Sequence, residues 1–331
     1  VTSTPGTDPG RPRVVIGVDD SPGARAALAW GLPEAARRGA CVQVVTSFPV
    51  DYYTAGSYMA AAFPFEEIRQ ETARQTGRLL EEVTAELVAA GVTGIEELPV
   101  EVLAVAGSPA IDLVERSRGA ALLVVGSRGR TAIRSLLLGS VSLHCAGHAH
   151  SPFVVVPASV TPAPRAARRR VVVGVDGSPT SAAALLAAIA AAGRVDAVVD
   201  VVVAFDDGLA RTSSVVSPPP AADLQRRAAA GADRVLVEVR AAAAEADLPE
   251  VPVQLHVLAE QPGQALVARA AGASLLVVGS HGAGQLMGMV LGSVALHCAL
   301  HAPCPVLLQR VGDRPGVGHV THPHLAATVP V

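Results

Sequence analysis

Short valine-rich runs alternate along the chain with longer stretches in which alanine, leucine, glutamate and arginine mix. The runs predict strands near residues 13–19, 41–48, 98–105, 121–126 and 152–157, and again near 170–176, 197–205, 251–258, 274–279 and 305–310. Helices are predicted near 22–38, 65–90, 108–118 and 140–149 in the first series and between the strands of the second. Runs such as ALLVVG at 121–126 and SLLVVG at 274–279 show no polar alternation. Strands of that kind are buried on both faces, which calls for a parallel sheet covered by helices on each side. Each series therefore predicts a doubly wound α/β unit with five parallel strands.

The two series are copies. RVVIGVDDSP at Arg13–Pro22 returns as RVVVGVDGSP at Arg170–Pro179, an offset of 157. VVGSRGRTAIRSLLLGSVSLHC at Val124–Cys145 returns as VVGSHGAGQLMGMVLGSVALHC at Val277–Cys298, an offset of 153. A length of 331 residues suits two such domains of about 150 each. The expected organisation is a flexible 1–12, a domain at 13–157, a Pro- and Ala-rich linker at 158–169, a domain at 170–310 and a loose tail at 311–331. His319, His322 and His324 fall in that tail, where nothing in the pattern fixes them as a metal site.

Composition narrows the function. A charged fraction of 17% and a net charge of -3 give no electrostatic case for nucleic acid. No apolar run reaches the roughly 18–20 residues of a membrane span; VDAVVDVVVAF at 195–205 is broken by Asp196 and Asp200. VTSTPGTDPGRPR lacks the apolar core of a signal peptide, so a cytoplasmic location is expected. Cys41, Cys145, Cys298 and Cys304 form no CxxC pair and read as inert thiols. All 26 basic residues are arginine. Without lysine there is no Walker loop, no protein-kinase phosphate lysine and no pyridoxal Schiff base. Gly17 is followed by VDDSPGA and Gly174 by VDGSPTS, not by the GxGxxG of an NAD or FAD site.

The repeated glycines remain. Ligands of such sheets bind beyond the carboxyl ends of the strands, where the strand order reverses. With order 3-2-1-4-5, Gly17-Val18-Asp19 and Gly126 end neighbouring strands, as do Gly174-Val175-Asp176 and Gly279. Gly126 and Gly129, and likewise Gly279 and Gly282, would let main-chain N–H groups approach an anion. Gly139-Ser140 and Gly292-Ser293 open the next helices, whose first-turn N–H groups favour phosphate. Glycines that merely turn the chain and serines that merely cap a helix are the other reading, and the identical spacing in two copies favours a ligand. Asp19 and Asp176 stand where a carboxylate meets ribose hydroxyls or a metal-bound water. They also read as helix caps beside Ser21-Pro22 and Ser178-Pro179.

At this point the chain resembles the universal stress proteins, whose ATP-binding branch carries G-x2-G-x9-G-(S/T) after strand 4 and an Asp just after strand 1. Both halves match, at Gly126–Ser140 and Gly279–Ser293, and the similarity resembles the tandem members of the family. The resemblance implies an adenine nucleotide α-hydrolase-like fold and one ATP per domain, accompanied by Mg2+ or Mn2+. It places phosphates on Gly129, Gly139 and Ser140, and on Gly282, Gly292 and Ser293. Asp19 and Asp176 would lie by the ribose and the metal, directly or through water. Ser47 and Ala204 would flank the adenine, with Val125 and Val278 nearby, and Val141 and Val294 follow the motif serines. Arg128 and His281 lie in the phosphate loops.

The implied function is a regulatory nucleotide sensor of the stress or dormancy type. No Ser-His-Asp set is legible and no lysine or dedicated base is aimed at a γ-phosphate, so a turnover enzyme is not expected, with slow ATP hydrolysis left open. The rivals are an adenylating enzyme, which VDDS and VDGS resemble only faintly, and an interaction module that binds no nucleotide. SPFVVV and APCPVLL at the last strands suggest edge pairing as an intrachain pseudo-dimer or a homodimer. Tyr52, Tyr53, Tyr58, Phe63 and Phe65 cluster after the second strand, either as a lid for an unknown protein partner or folded on their own domain.

Overall fold

The valine-rich runs become strands and the mixed stretches helices in the computed structural model, which describes residues 10–48, 64–129, 138–160, 169–205, 221–282 and 291–310. The first half runs β1 (Arg13–Gly17), α1 (Pro22–Arg37), β2 (Cys41–Phe48), α2 (Phe65–Ala89), β3 (Val100–Ala106), α3 (Pro109–Arg116), β4 (Leu122–Gly126), α4 (Ser140–His148) and β5 (Phe153–Val156). The second repeats it as β6 (Arg170–Gly174), α5 (Pro179–Gly193), β7 (Val198–Ala204), α6 (Ala221–Glu245), β8 (Val253–Leu258), α7 (Pro262–Arg269), β9 (Leu275–Gly279), α8 (Ser293–His301) and β10 (Val306–Gln309).

Each half has the expected order: β3-β2-β1-β4-β5 and β8-β7-β6-β9-β10, all pairs parallel. The two last strands then pair antiparallel, with Val306 opposite Val155, Leu307 opposite Val154 and Leu308 opposite Phe153. One ten-stranded sheet therefore runs through the chain, and the intrachain pairing expected from the apolar last strands is present. Cores on both faces of the sheet draw on both halves. Helix α5, PTSAAALLAAIAAAG, is apolar nearly all round because it lies on the sheet near this junction and packs against α6 as well.

β1 and β6 end at Gly17 and Gly174, two residues short of their predicted ends, because the chain lifts off toward α1 and α5. One further ladder bond forms in each half, from the Val18 N–H to the Val45 carbonyl and from the Val175 N–H to the Val202 carbonyl, both at 2.9 Å. Asp200, which interrupts the apolar run of β7, is buried and salt-bridged to Arg170 at 3.0 Å. In the first half the same strand position is Gln43, also buried, which accepts from Arg13 and Arg116 and donates to Glu101 at 2.9 Å.

A second tie joins the halves beside the sheet. Glu34, on α1 and 5% exposed, faces Arg38 at 2.8 Å, Arg37 at 3.2 Å and, from the other half, Arg194 at 3.1 Å. Burial works to raise the carboxyl pKa, and Arg38, Arg194 and Arg37 together overcome it, so the net displacement is downward. A depressed folded-state value means stability that is present above the ordinary carboxyl range and lost as pH falls through the lowered value. Glu34→Gln should therefore cost roughly 3–5 kcal/mol in urea unfolding at pH 7, since it leaves three guanidinium groups around an uncharged amide. The deficit should shrink in acid, where the parent carboxylate protonates too; a deficit constant from pH 7 to pH 3 would contradict this account.

Candidate functional site

The reversal of strand order falls between β1 and β4, and between β6 and β9, and there the two repeated motifs meet. Ser21 caps α1, its hydroxyl accepting from the Ala24 N–H at 3.1 Å. Asp19 Oδ1 accepts from the Ser21 N–H at 3.1 Å and from the Ser21 hydroxyl. The second half is the same: Ser178 caps α5, and Asp176 Oδ1 accepts from the Ser178 N–H at 3.0 Å and its hydroxyl at 2.6 Å. The carboxylates are thus not the helix caps; they hold the serines that are. Their other oxygens point at the loop glycines. A Cβ on Gly129 would stand 2.7 Å from Asp19 Oδ2, and one on Gly282 2.7 Å from Asp176 Oδ2.

Two glycine pairs at the strand ends have packing reasons of their own. A Cβ on Gly17 would meet the Leu113 side chain of α3 at 2.7 Å, and one on Gly174 the Leu266 side chain of α7 at 2.9 Å. A Cβ on Gly126 would fall 2.5 Å from the backbone of Gly23, and one on Gly23 2.3 Å from the Arg128 carbonyl oxygen. Helix α1 therefore sits backbone to backbone on the end of β4. Gly23 escaped the sequence reading because the repeat replaces it with Thr180, whose hydroxyl donates to the His281 carbonyl at 2.5 Å. In the first half the Ser21 hydroxyl reaches the equivalent Arg128 carbonyl at 3.2 Å. A Cβ on Gly279 would lie 3.0 Å from Thr180 Cβ, a looser version of the same contact.

Gly139 and Gly292 cap α4 and α8 and so offer no side chain to accept from the first-turn amides. The Gly139 N–H bonds to the Ser127 carbonyl at 2.9 Å and the Gly292 N–H to the Ser280 carbonyl at 2.8 Å. Those bonds place each helix start beside Gly129 or Gly282. Ser140 and Ser293 are exposed there. Ser142 ties α4 to β4 through the Gly126 carbonyl at 2.7 Å, a bond that Ala295 cannot repeat.

The side chains of Val18, Val125, Val175 and Val278 are buried in the cores and shape the floor, while Val141 and Val294 pack partly buried against it. Ser47, next to last in β2, has its Oγ buried and without a hydrogen-bond partner among the described residues; Ala204 takes its place in β7. Arg128 is exposed, and half-buried His281 has its Nδ1 3.2 Å from Ser280 Oγ. Residues 49–63, 130–137, 206–220, 283–290 and 311–331 lie outside the described set, and with them Tyr52, Tyr53, Tyr58, Phe63 and the tail histidines. Burial pushes the thiols of Cys145, Cys298 and Cys304 up to about 12, in keeping with inert cysteines. Among the described residues no group of three or more His, Cys, Asp or Glu is placed to hold a metal, and no helix is long and apolar enough to cross a membrane.

The sequence profile of the universal stress protein family matches residues 10–157 and again 167–310. A universal stress protein of Mycobacterium tuberculosis is 34% identical over 306 residues, covering 90% of this chain and 96% of the other. One from Mycolicibacterium smegmatis is 34% identical over 314 residues with the same coverage. Among solved structures, a universal stress protein from Archaeoglobus fulgidus superposes with a TM-score of 0.60 at 22% identity, covering 90% of this chain and 96% of its own. A second, from Pseudomonas aeruginosa, gives 0.57 at 15% identity, covering 90% and 92%. These last two bear on the fold alone. With two profile matches on one chain and relatives of the same length and arrangement, the protein belongs to the universal stress protein family as a tandem member.

Proposed function

We propose that each half binds one ATP with a divalent cation, and that the protein is a nucleotide-responsive regulator rather than a turnover enzyme. One observation carries the reading: in both halves a carboxylate from the end of the first strand stands against a glycine where a side chain would intrude, beside a helix start with no side-chain cap. A carboxylate so close to a phosphate loop repels bare phosphate. It fits a phosphate that brings Mg2+ or Mn2+, to which Asp19 or Asp176 contributes an oxygen directly or through water. The amides near Gly129, Gly139 and Ser140, and near Gly282, Gly292 and Ser293, would hold the phosphates. The partnerless Ser47 hydroxyl supports an adenine at the end of β2, because a buried hydroxyl without a partner is costly until something polar meets it.

The non-catalytic reading rests on the sequence, which has no lysine and no legible Ser-His-Asp set. Among the described loop residues, Arg128 and His281 carry the side chains that could face a phosphate. The faint adenylating-enzyme reading finds no support, since the turn after β1 is filled by the Asp-Ser cap and not by paired glycines.

Calorimetric titration with ATP and Mg2+ tests this. Gly129→Val and Gly282→Val should each lower the stoichiometry from two to one at a smaller cost in thermal unfolding than a change at Gly126, because each side chain meets a carboxylate oxygen and not backbone. Gly126→Val should unfold at lower temperature, because it meets backbone. Unchanged stoichiometry in both loop variants would sink the assignment. Asp19→Asn should weaken binding to the first site more with Mg2+ than without it; equal weakening would move Asp19 from the metal to the ribose. The remaining site of Gly282→Val, which keeps Arg128, should lose affinity with added salt faster than the remaining site of Gly129→Val. Equal salt slopes would mean that Arg128 points away from the phosphates.

A further inference from the structure

Outside the two crevices, a cavity of about 710 Å3 lies between the halves. It opens at the entry ends of β6 and β9, the opposite ends from Asp176 and Gly279, and is closed from the first half by α1, the end of α2 and the residues after β5. Its walls are mostly apolar, with Trp30, Leu87, Val160, Val171 and Leu275 prominent among them. Its volume lies within the roughly 300–1,000 Å3 of sites that enclose small organic ligands.

The charges are unbalanced. Glu34 is the one acidic residue among the described residues lining the cavity, and it already accepts from Arg37, Arg38 and Arg194. Arg194 Nε is buried with no acceptor. Arg169 lines the cavity with no hydrogen-bond or ion-pair partner for its side chain among the described residues. Arg37 and Arg169 thus line the cavity with a single carboxylate, which three guanidinium groups already engage. The residues joining Val160 to Arg169 add Arg165 and Arg168 to the sequence and no acid. An apolar chamber with surplus, partly desolvated positive charge at its wall selects a ligand with an apolar body and one anionic group.

We infer that the inter-half cavity binds a small amphipathic organic anion, a carboxylate of medium-chain type, with its charge at Arg169 and its body against Trp30, Leu87 and Val171. The site is separate from the nucleotide crevices and does not depend on what they bind. Because the ligand would touch both halves at once, its binding would tighten the junction that Glu34 and the β5–β10 pair make.

Trp30 is the chain's single tryptophan, so its emission reads this cavity directly. The full-length chain is titrated with decanoate at constant ionic strength and below its micelle concentration, with decanol and decyltrimethylammonium as neutral and cationic comparators. The expected result is a saturable one-to-one change in Trp30 emission with decanoate and at least tenfold weaker responses to the other two. Arg169→Gln, whose parent side chain has no partner among the described residues, should weaken decanoate at least tenfold without changing thermal unfolding of the unliganded chain. Trp30→Phe should abolish the signal yet keep decanoate binding in equilibrium dialysis. No saturable change, equal responses to all three amphiphiles, or an unaffected Arg169→Gln would each overturn the proposal. So would a response seen only after the chain is cut beyond Arg310, which would give the cavity to the chain's own tail.

Discussion

The contact of Gly23 with Gly126 is the constraint on which the first site depends. With a side chain at either position the helix and the strand end could not come this close, since the added carbon would meet backbone at 2.3–2.5 Å. Seated there, α1 carries its cap Ser21 onto the Arg128 carbonyl, and Ser21 in turn holds Asp19 over Gly129. Three short-range bonds then fix a carboxylate, a loop and a helix start in one place. The second half reaches the same arrangement through Thr180, which trades the bare backbone contact for a hydroxyl bond to the loop. That two different residues deliver one geometry argues that the position of the aspartate, and not the glycine as such, is what the duplicated motif holds constant.

The sheet was legible from the chain because a strand buried on both faces is apolar at nearly every position, which gives short runs such as LLVVG between turn residues. Strand order and the meeting of Asp19 with Gly129 followed from topology. The reasons for individual glycines were not legible. Gly17 and Gly126 look in sequence like Gly129, yet one clears Leu113 and the other clears Gly23. Spacing records that a side chain is excluded and does not record by what. Glu34 was equally hidden: EAARR reads as an exposed helix end, and its burial appears only when Arg194 arrives from the other half.

Fusing the sheets through β5 and β10 removes the two strand edges that a separate pair of domains would expose, leaving β3 and β8 at the ends of the sheet. It also ties the crevices into one body whose halves are no longer equivalent. Ser47 is answered by Ala204, Arg128 by His281 and Ser142 by Ala295, each on the rim or floor of a crevice. Such differences leave the backbone frame intact and alter what it offers to a ligand.

The central claim is that the duplicated frame is two nucleotide sites. Equilibrium dialysis of the unaltered chain against labelled ATP with Mg2+ tests it most directly. The account predicts saturation at two ATP per chain with unequal affinities. Saturation at a single ATP, or no retention of ATP at concentrations up to those found in cells, would contradict it.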